Sequence, residues 1–228
     1  MDNTSILSRL TDAVVAGDTE NVERTVNEAL SAGVDPVEVL RKGLEPGLLI
    51  LGEKWKNGDV FLPQILMGSE SMKTGIALLR PKIGKERSDE VKPLGTVVIG
   101  TAYGDMHNIG KNIVTIMLEV AGFNVFNLGE SVPPMKFIEK AEELDADIIA
   151  ISCLLSPSMY YQRDVVSYLN DMGVRDKYWV LIGGGPVTPE WVKEIGADGY
   201  AKNAFLAAEV AKSLAKSGRE MNLPIIKV

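Results

Sequence analysis

The chain has 228 residues, of which 46% are apolar and 24% charged, and it carries one cysteine. These proportions are typical of a folded globular protein and exclude a disordered or fibrous chain. The formal net charge is −7, and neither half of the chain is basic, so we expect no nucleic-acid partner. A lone Cys153 cannot form an internal disulfide, and no apolar run approaches the ~18 residues of a membrane span. We therefore expect a cytoplasmic protein with no membrane partner.

The first 80 residues carry apolar side chains at helical spacing, which predicts four helices. Asp18 and Asp35 stand where helix N-caps are expected, and Pro36 follows in the first turn. Pro46 is expected to kink the third helix or to split it after Gly43. Three glycines are predicted to end helices, and they are Gly17, Gly33 and Gly58.

A charged stretch bounded by prolines, residues 80–94, predicts an exposed linker between two domains. We expect a helical domain over residues 1–88, the end of the linker at 89–94 and a second domain over 95–228.

Beyond the linker, short β-branched runs alternate with helical stretches, which indicates a parallel sheet covered by helices on both faces. The predicted class is α/β, with an N-terminal four-helix bundle cap followed by a Rossmann-like, flavodoxin-type domain with a five-stranded parallel sheet. Strands are expected near residues 96–101, 123–129, 147–153, 178–184 and 198–201. Ligands bind such sheets at the carboxyl ends of the strands, so the candidate site lies in the loops that follow them.

The first of these loops contains His107, the single histidine of the chain. A histidine is more often a surface or core residue than a ligand, but His107 follows a strand end and lies two residues after Asp105. A carboxylate beside an imidazole is the usual device that orients a metal-bound histidine. Zinc requires three or four protein ligands, and the chain has no second histidine. A metal that brings its own equatorial ligands needs one protein nitrogen, and both haem and corrin meet this condition.

Nucleotide-binding loops fit this sequence poorly. Gly104 and Gly110 enclose five residues, whereas a phosphate-binding loop requires four, and the dinucleotide glycine pattern is missing. The third loop, residues 152–158, carries three hydroxyls, which would suit a ligand or a helix cap. The fourth loop, residues 183–185, is all glycine, which would allow a large group to lie against the backbone or simply form a tight turn.

Three motifs on successive loops together resemble a known family. Asp105-x-His107-x-x-Gly110 is followed by Ser152-x-Leu154-x-Ser156-x-Ser158 and then by Gly183-Gly184. This order is similar to the cobalamin-binding domain of methionine synthase and to the corrinoid proteins of methyltransferase systems. Residues 58–64 and 71–73 also resemble the helical part of that family, so the resemblance covers nearly the whole chain.

The resemblance implies that His107 is the lower axial ligand of cobalt and displaces the dimethylbenzimidazole of cobalamin. Asp105 would hydrogen-bond His107, and Ser158 would extend this chain of hydrogen bonds. The nucleotide tail would enter the sheet domain beside the third and fourth loops. The implied cofactor-binding residues of the sheet domain are Gly104, Asp105, Met106, His107, Asn108, Ile109, Gly110, Ser152, Leu154, Leu155, Ser156, Gly183, Gly184, Gly185, Tyr200 and Ala201.

In the same family the helical part covers the upper face of the corrin and shields the methyl group. The matching candidates in this chain are Phe61, Leu62, Met67 and Met72. Apolar side chains at helical spacing also form the core of a bundle, and this alternative stands for each of them.

The function implied is that of a corrinoid methyl carrier, one component of a multi-subunit system rather than a complete enzyme. Its cobalamin would alternate between methylcobalamin and cob(I)alamin. A substrate-specific methyltransferase would load the methyl group from a phenyl methyl ether, a methylamine, a betaine or methanol. A second methyltransferase would pass it to tetrahydrofolate or a thiol, and a reductive activase would be a third partner. To dock successive partners such a carrier would swing its cap aside, with the linker at residues 80–94 as the hinge.

Three alternatives remain open at this point. The small subunit of an adenosylcobalamin mutase shares the sheet domain but lacks the helical cap. A cobalamin-dependent sensor of transcription would need a DNA-binding domain. A flavodoxin-like module with another ligand would not bind a corrinoid.

Overall fold

The computed structural model describes residues 3–83, 92–216 and 223–228. The chain divides into two compact units, Met1–Lys92 and Pro93–Val228. Most of the predicted linker, residues 84–91, lies outside the described residues. The predicted hinge and the exact domain boundaries therefore stay predictions.

The first unit is helical, as the periodicity of its apolar residues predicted. Asp18 caps the second helix, accepting a hydrogen bond from the amide of Asn21. The buried side chains recur at helical spacing, and Leu10, Val14 and Val22 are completely buried. The α-helices of residues 3–83 are α1 (Asn3–Ala16), α2 (Thr19–Ser31), α3 (Pro36–Glu38), α4 (Glu45–Asn57) and α5 (Leu62–Leu79), with a short 3₁₀ turn at Arg80–Lys82.

The third predicted helix begins at the cap that its sequence predicts and contains a π-helical turn before Pro46. The Asp35 side chain accepts hydrogen bonds from the amides of Val37 and Glu38 at 3.0 and 3.2 Å. Between α3 and α4 the chain forms a π-helix, Val39–Leu44, so the helix stays continuous where a kink or a split was expected. Pro46 has no amide hydrogen and its ring would clash with a carbonyl of the preceding α-helical turn, and the wider π-helical turn relieves that clash.

The second unit contains a parallel sheet in the order β2-β1-β3-β4-β5-β6. Its interior strands are almost fully buried because helices cover both faces, as their continuous β-branched runs predicted. Helices α6 and α10 pack together against one face, and α7 and α8 pack together against the other. The strands are β1 (Thr96–Thr101), β2 (Asn124–Asn127), β3 (Ile148–Ser152), β4 (Trp179–Gly183), β5 (Gly199–Ala201) and β6 (Ile225–Lys227); the helices are α6 (Ile109–Val120), α7 (Pro134–Glu143), α8 (Tyr160–Asp171), α9 (Pro189–Ile195) and α10 (Ala204–Lys216).

Strand β6 is the one element of the sheet that sequence analysis did not predict. It pairs in parallel with β5, with Tyr200 opposite Ile226, so the sheet has six strands where five were expected. The Rossmann-like class is unchanged, because the added strand lies at the sheet edge.

The strand order places β1 between β2 and β3, so the chain leaves β1 in one direction and continues from β3 in the other. Such a switch point opens a crevice at the carboxyl ends of the two strands, where α/β proteins bind ligands. The loops that follow β1 and β3 line this crevice.

None of the described helices has the length and apolarity that a membrane crossing requires.

Candidate functional site

The loop after β1 holds His107 against a buried carboxylate. Asp105 is fully buried, and its Oδ1 accepts a hydrogen bond from the His107 amide at 2.9 Å and lies 2.8 Å from Nδ1 of the His107 ring. The His107 side chain is half exposed. A carboxylate oxygen can only accept, so in the neutral ring Nδ1 carries the proton and Nε2 presents its lone pair for a ligand.

The second oxygen of Asp105 connects this loop to the one that follows β3. Its Oδ2 accepts hydrogen bonds from the amides of Leu154 and Leu155 at 2.5 and 3.1 Å. Burial alone would raise the pKa of Asp105, but the hydrogen bonds from His107, Leu154 and Leu155 outweigh it and lower the pKa below its usual range. Asp105 is therefore a fixed anion that orients the His107 ring.

The expected hydrogen bond from Ser158 to Asp105 is not formed in the described structure. The two carboxylate oxygens of Asp105 are occupied by His107 and by the amides of Leu154 and Leu155. Ser158 is buried beside the backbone instead, with its hydroxyl 3.4 Å from where a Cβ on Gly104 would lie. Backbone amides thus take the place that sequence analysis gave to a hydroxyl.

The loops after β3 and β4 pack so closely that only glycine fits between them. Gly184 has a φ of +127°, and a Cβ there would lie 1.7 Å from the carbonyl oxygen of Cys153. The Cys153 thiol donates to the carbonyl of Leu155 at 3.1 Å, and burial, together with the nearby charge of Asp105, raises the pKa of Cys153 to about 12. Cys153 is therefore a packed, protonated thiol.

The side chain of Gln162, in α8, hydrogen-bonds the strand ends that precede both loops, a role that no motif in the sequence indicates. It is completely buried, and its Nε2 donates to the carbonyls of Ile151 and Gly183 at 3.0 and 3.3 Å. Its Oε1 accepts from Nε1 of Trp191 at 3.1 Å. The fourth loop is thereby tied to α8 and α9.

A cavity of about 310 Å³ opens between the carboxyl ends of the central strands and helices α6 and α10. Of the residues predicted to bind the cofactor, seven line it: Gly110, Ser152, Gly183, Gly184, Gly185, Tyr200 and Ala201. Sequence analysis missed other lining residues, such as Val114, Asn203 and Ala207. Val114 and Ala207 belong to ordinary helical patterns, and Asn203 lies just before α10, where it accepts from the amide of Leu206. Three consecutive glycines, Gly183–Gly185, form part of its wall.

The remaining predicted residues of the two crevice loops lie at the surface. Met106, Ile109 and Leu154 expose 63%, 76% and 49% of their area, and Leu155 and Ser156 are also exposed. Side chains this apolar are costly to leave in water, so they mark a surface that a large apolar ligand would cover. The side chain of Asn108 is half-buried and donates to the carboxylate of Glu130.

The four predicted residues of the helical unit differ in exposure. Phe61 and Met67 expose 71% and 52% of their area, whereas Met72 is buried at 8%. Leu62 is intermediate. Phe61 and Met67 are available to a ligand, and Met72 would have to move to reach one.

The site offers a metal one protein ligand. Among residues 3–83, 92–216 and 223–228, no group of three or more histidine, cysteine or acidic side chains is arranged to hold a metal ion. One imidazole suits a metal held in a macrocycle, and the adjoining glycine-walled cavity can receive an appended group. The fold is thus that of an α/β protein with a candidate ligand site at the carboxyl ends of its strands, and a metal-containing macrocycle is the class of ligand that its single imidazole fits.

Comparisons with known proteins agree with this class. A family model described as B12 binding domain matches residues 95–209, and a second with the same description matches residues 6–80. A corrinoid protein of Desulfitobacterium hafniense is 40% identical over 92% of this chain and 97% of its own length. Trimethylamine corrinoid protein 1 of Methanosarcina acetivorans is 44% identical over 87% of this chain and 92% of its own.

A solved structure extends the likeness to the fold. A chain of the methanol:cobalamin methyltransferase complex MtaBC from Methanosarcina barkeri superposes with a TM-score of 0.84 and is 28% identical, over 94% of this chain and 81% of that one. The chain therefore belongs to the B12-binding corrinoid proteins of methyltransferase systems, and its cofactor is a corrinoid. The resemblance that the three loop motifs carried is confirmed.

Proposed function

We propose that this protein is a methyl carrier that holds cobalamin with the imidazole of His107 in place of the cofactor's own benzimidazole. The observation that supports this most directly is the orientation of His107. Its Nδ1 is engaged by Asp105, so the free Nε2 is the nitrogen available for cobalt.

Different residues of the site would contact different parts of the cofactor. His107 would bind cobalt from below, and the exposed apolar side chains Met106, Ile109, Leu154 and Leu155 would lie against the macrocycle. The displaced benzimidazole and its nucleotide linker would occupy the cavity beside Ser152, Gly183–Gly185, Tyr200 and Ala201. In the helical unit, Phe61, Leu62 and Met67 are proposed contacts of the upper face, and Met72 would join them only if its side chain became exposed.

When bound, the corrinoid supplies a cobalt centre that accepts and releases a methyl group. The chain's own contribution is to control the nitrogen ligand. Asp105 keeps the proton on Nδ1 and makes the ring a stronger donor through Nε2, because a hydrogen bond to an anion increases the basicity of the opposite nitrogen. Four hydrogen bonds hold Asp105 itself, so the ligand is oriented before the cofactor binds.

Methylamines are the donor class that we propose. Relatives named as trimethylamine or dimethylamine corrinoid proteins are 40–44% identical to this chain, whereas the chain of the methanol complex is 28% identical. That complex also shows a relative assembled with a methyltransferase. By analogy, a substrate-specific methyltransferase would load this protein, a second would transfer the methyl group to tetrahydrofolate or a thiol, and a reductive activase would restore the reduced cofactor.

The test is anaerobic methyl transfer to the reconstituted, reduced protein. Trimethylamine, dimethylamine, monomethylamine, methanol, a betaine and a phenyl methyl ether are each supplied with a methyltransferase that uses that donor. Absorption spectroscopy follows consumption of the reduced cofactor. We expect methylation with a methylamine, and demethylation once an acceptor methyltransferase is added with tetrahydrofolate or a thiol. Methylation by another donor alone would refute the donor class, and no methylation by any donor would refute the carrier function.

A further inference from the structure

Lys111 is a buried lysine that the cofactor site described above does not use. It lies in the first turn of α6, four residues after His107, and exposes 1% of its surface. Its Nζ donates to Oδ1 of Asn112 at 2.7 Å and to Oδ1 of Asn127 at 2.6 Å. Within the described parts of the chain it forms no ion pair, and burial lowers the pKa of Lys111 while the charge of Glu130 opposes that shift.

Burying an ammonium without a paired carboxylate is unfavourable for folding, and apolar residues of similar size are often as stable or more so. The position of Lys111 therefore needs an explanation other than stability. Its two hydrogen bonds supply one, because they join elements that are distant in sequence: the start of α6 and the carboxyl end of β2.

Asn127 also forms a hydrogen bond within the loop between β2 and α7, residues 128–133. Its Oδ1 also accepts a hydrogen bond from the amide of Gly129 at 3.0 Å. Its Nδ2 donates back to Asn112 at 3.2 Å. The ammonium of Lys111 thus completes a small polar cluster, Lys111, Asn112 and Asn127, that fixes the beginning of this loop.

The same loop forms hydrogen bonds with the segment that carries His107. The Ser131 amide donates to the carbonyl of Asp105 at 3.0 Å and to Oγ1 of Thr101 at 2.8 Å. The Ser131 hydroxyl accepts from the amide of Gly104 at 3.0 Å, and Glu130 accepts from Asn108. The loop after β2 therefore contacts the residues on both sides of Asp105 and His107.

The loop between β2 and α7 has backbone conformations that are unfavourable unless other contacts stabilise them. Ser131 adopts a φ of +49° and Gly129 a φ of +90°, and a left-handed serine is unfavourable unless its surroundings fix it. Its amide and hydroxyl contacts with Thr101, Gly104 and Asp105 fix it at one end, and the polar cluster at Asn127 fixes the other.

We propose that Lys111 is a positioning residue for the cobalt ligand, acting through Asn127 and the Gly129–Ser131 loop on the segment that carries Asp105 and His107. The inference rests on the proposed function, in which His107 binds cobalt. Lys111 itself donates to Asn112 and Asn127 and not to His107, and it is not among the residues that line the cavity. Its loss should therefore loosen the ligand loop without weakening the fold.

The test compares Lys111→Met with wild type and with Lys177→Met. Methionine has a similar shape without the charge, and Asn112 and Asn127 keep other donors to their oxygens. Lys177 is exposed just before β4, at the amino ends of the strands and thus at the opposite end of the sheet from the candidate site. We expect the Kd of the Lys111→Met apoprotein for aquocobalamin to rise about 10-fold or more, as for lost partners of metal ligands. Its melting temperature should stay unchanged or rise, and Lys177→Met should bind as wild type does.

A second variant makes the result independent of whether Lys111→Met folds. Asn127 is exposed, so Asn127→Ala is a surface substitution. It removes the oxygen that accepts from both Lys111 and the amide of Gly129. We expect a similar rise in Kd, and the double variant should bind no more weakly than the weaker of the two single variants. If Lys111→Met does not fold, Asn127→Ala alone decides the proposal.

Wild-type Kd values in the folded variants, or strictly additive effects in the double variant, would overturn the role of Lys111. Electron paramagnetic resonance of the wild-type cobalt(II) protein separates that failure from failure of the proposed function. If wild type shows nitrogen splitting from His107 while the variants bind normally, only the positioning role is wrong. If wild type shows no such splitting, the ligand assignment itself is wrong.

Discussion

Replacing Asp105 by asparagine should separate the shape of this side chain from its charge. The two residues are almost the same size, but asparagine has one accepting oxygen and one donating NH₂ group. Asp105 is fully buried and accepts four hydrogen bonds, two at each oxygen. An asparagine cannot accept at both positions, so one set of donors must face its NH₂ group.

The arrangement of the donors decides which way the amide turns. If its oxygen faces Leu154 and Leu155, the NH₂ group meets one fixed donor, the amide of His107. If its oxygen faces His107, the NH₂ group meets two buried amides. An unsatisfied buried donor costs about 1–3 kcal/mol, so the first orientation is preferred and the apoprotein loses about 1–3 kcal/mol of stability.

The preferred orientation also changes the histidine. The NH₂ group then donates to Nδ1 of His107, which forces the ring proton onto Nε2, and a protonated Nε2 cannot bind a metal. We expect the affinity for aquocobalamin to fall about 10–100-fold, the usual range for lost partners of metal ligands.

Urea unfolding of the apoprotein measures the loss of stability. Titration with aquocobalamin, followed by absorption, measures the fall in affinity. Asp171→Asn is the matched control, since Asp171 is exposed at the end of α8 and its replacement changes the net charge equally. Unchanged cobalamin affinity in a folded Asp105→Asn protein would refute the assigned role of Asp105.

Three further predictions concern the loops of the sheet domain. Gly184→Ala should destabilise the apoprotein by about 2–5 kcal/mol in urea unfolding, from backbone strain and the clash with Cys153, whereas Gly52→Ala, at an open helical position, should not. Because the pKa of Cys153 is raised to about 12, iodoacetamide at pH 8 should label the native apoprotein far more slowly than the unfolded chain, and equal rates would contradict its burial. Gln162→Leu should cost about 1–3 kcal/mol by leaving the Trp191 indole unsatisfied, and an unchanged unfolding midpoint would show that water replaces the glutamine.

Much of the fold could be predicted because its signals are local. Interior strands such as β3 are continuous β-branched runs, and caps such as Asp35 are set by neighbouring residues. Strand β6 gives no such signal, since it is three residues long, lies at the sheet edge and is only partly buried. The π-helix before Pro46 was anticipated as a disturbance but not in its form, because a proline can be accommodated in several ways.

The candidate site shows the same division between local and distant contacts. The pairing of Asp105 with His107 spans two residues, so the sequence pattern indicated it. The partners of the other Asp105 oxygen lie 49 and 50 residues away and are backbone amides, which no side-chain pattern reveals, and Ser158 was assigned in their place. Lys111 and Ser131 were missed for a related reason, because burial and a left-handed backbone depend on tertiary packing.

The ligand assignment can be tested on a single atom, because His107 is the only histidine in the chain. Protein produced without a histidine tag and with ¹⁵N-labelled histidine carries the label in one imidazole. After reconstitution with cobalamin and reduction to cobalt(II), we predict that the nitrogen splitting of each cobalt line changes from a triplet in unlabelled protein to a doublet in labelled protein. A triplet in both samples would show that the ligand is the cofactor's benzimidazole, and it would contradict the central role given to His107.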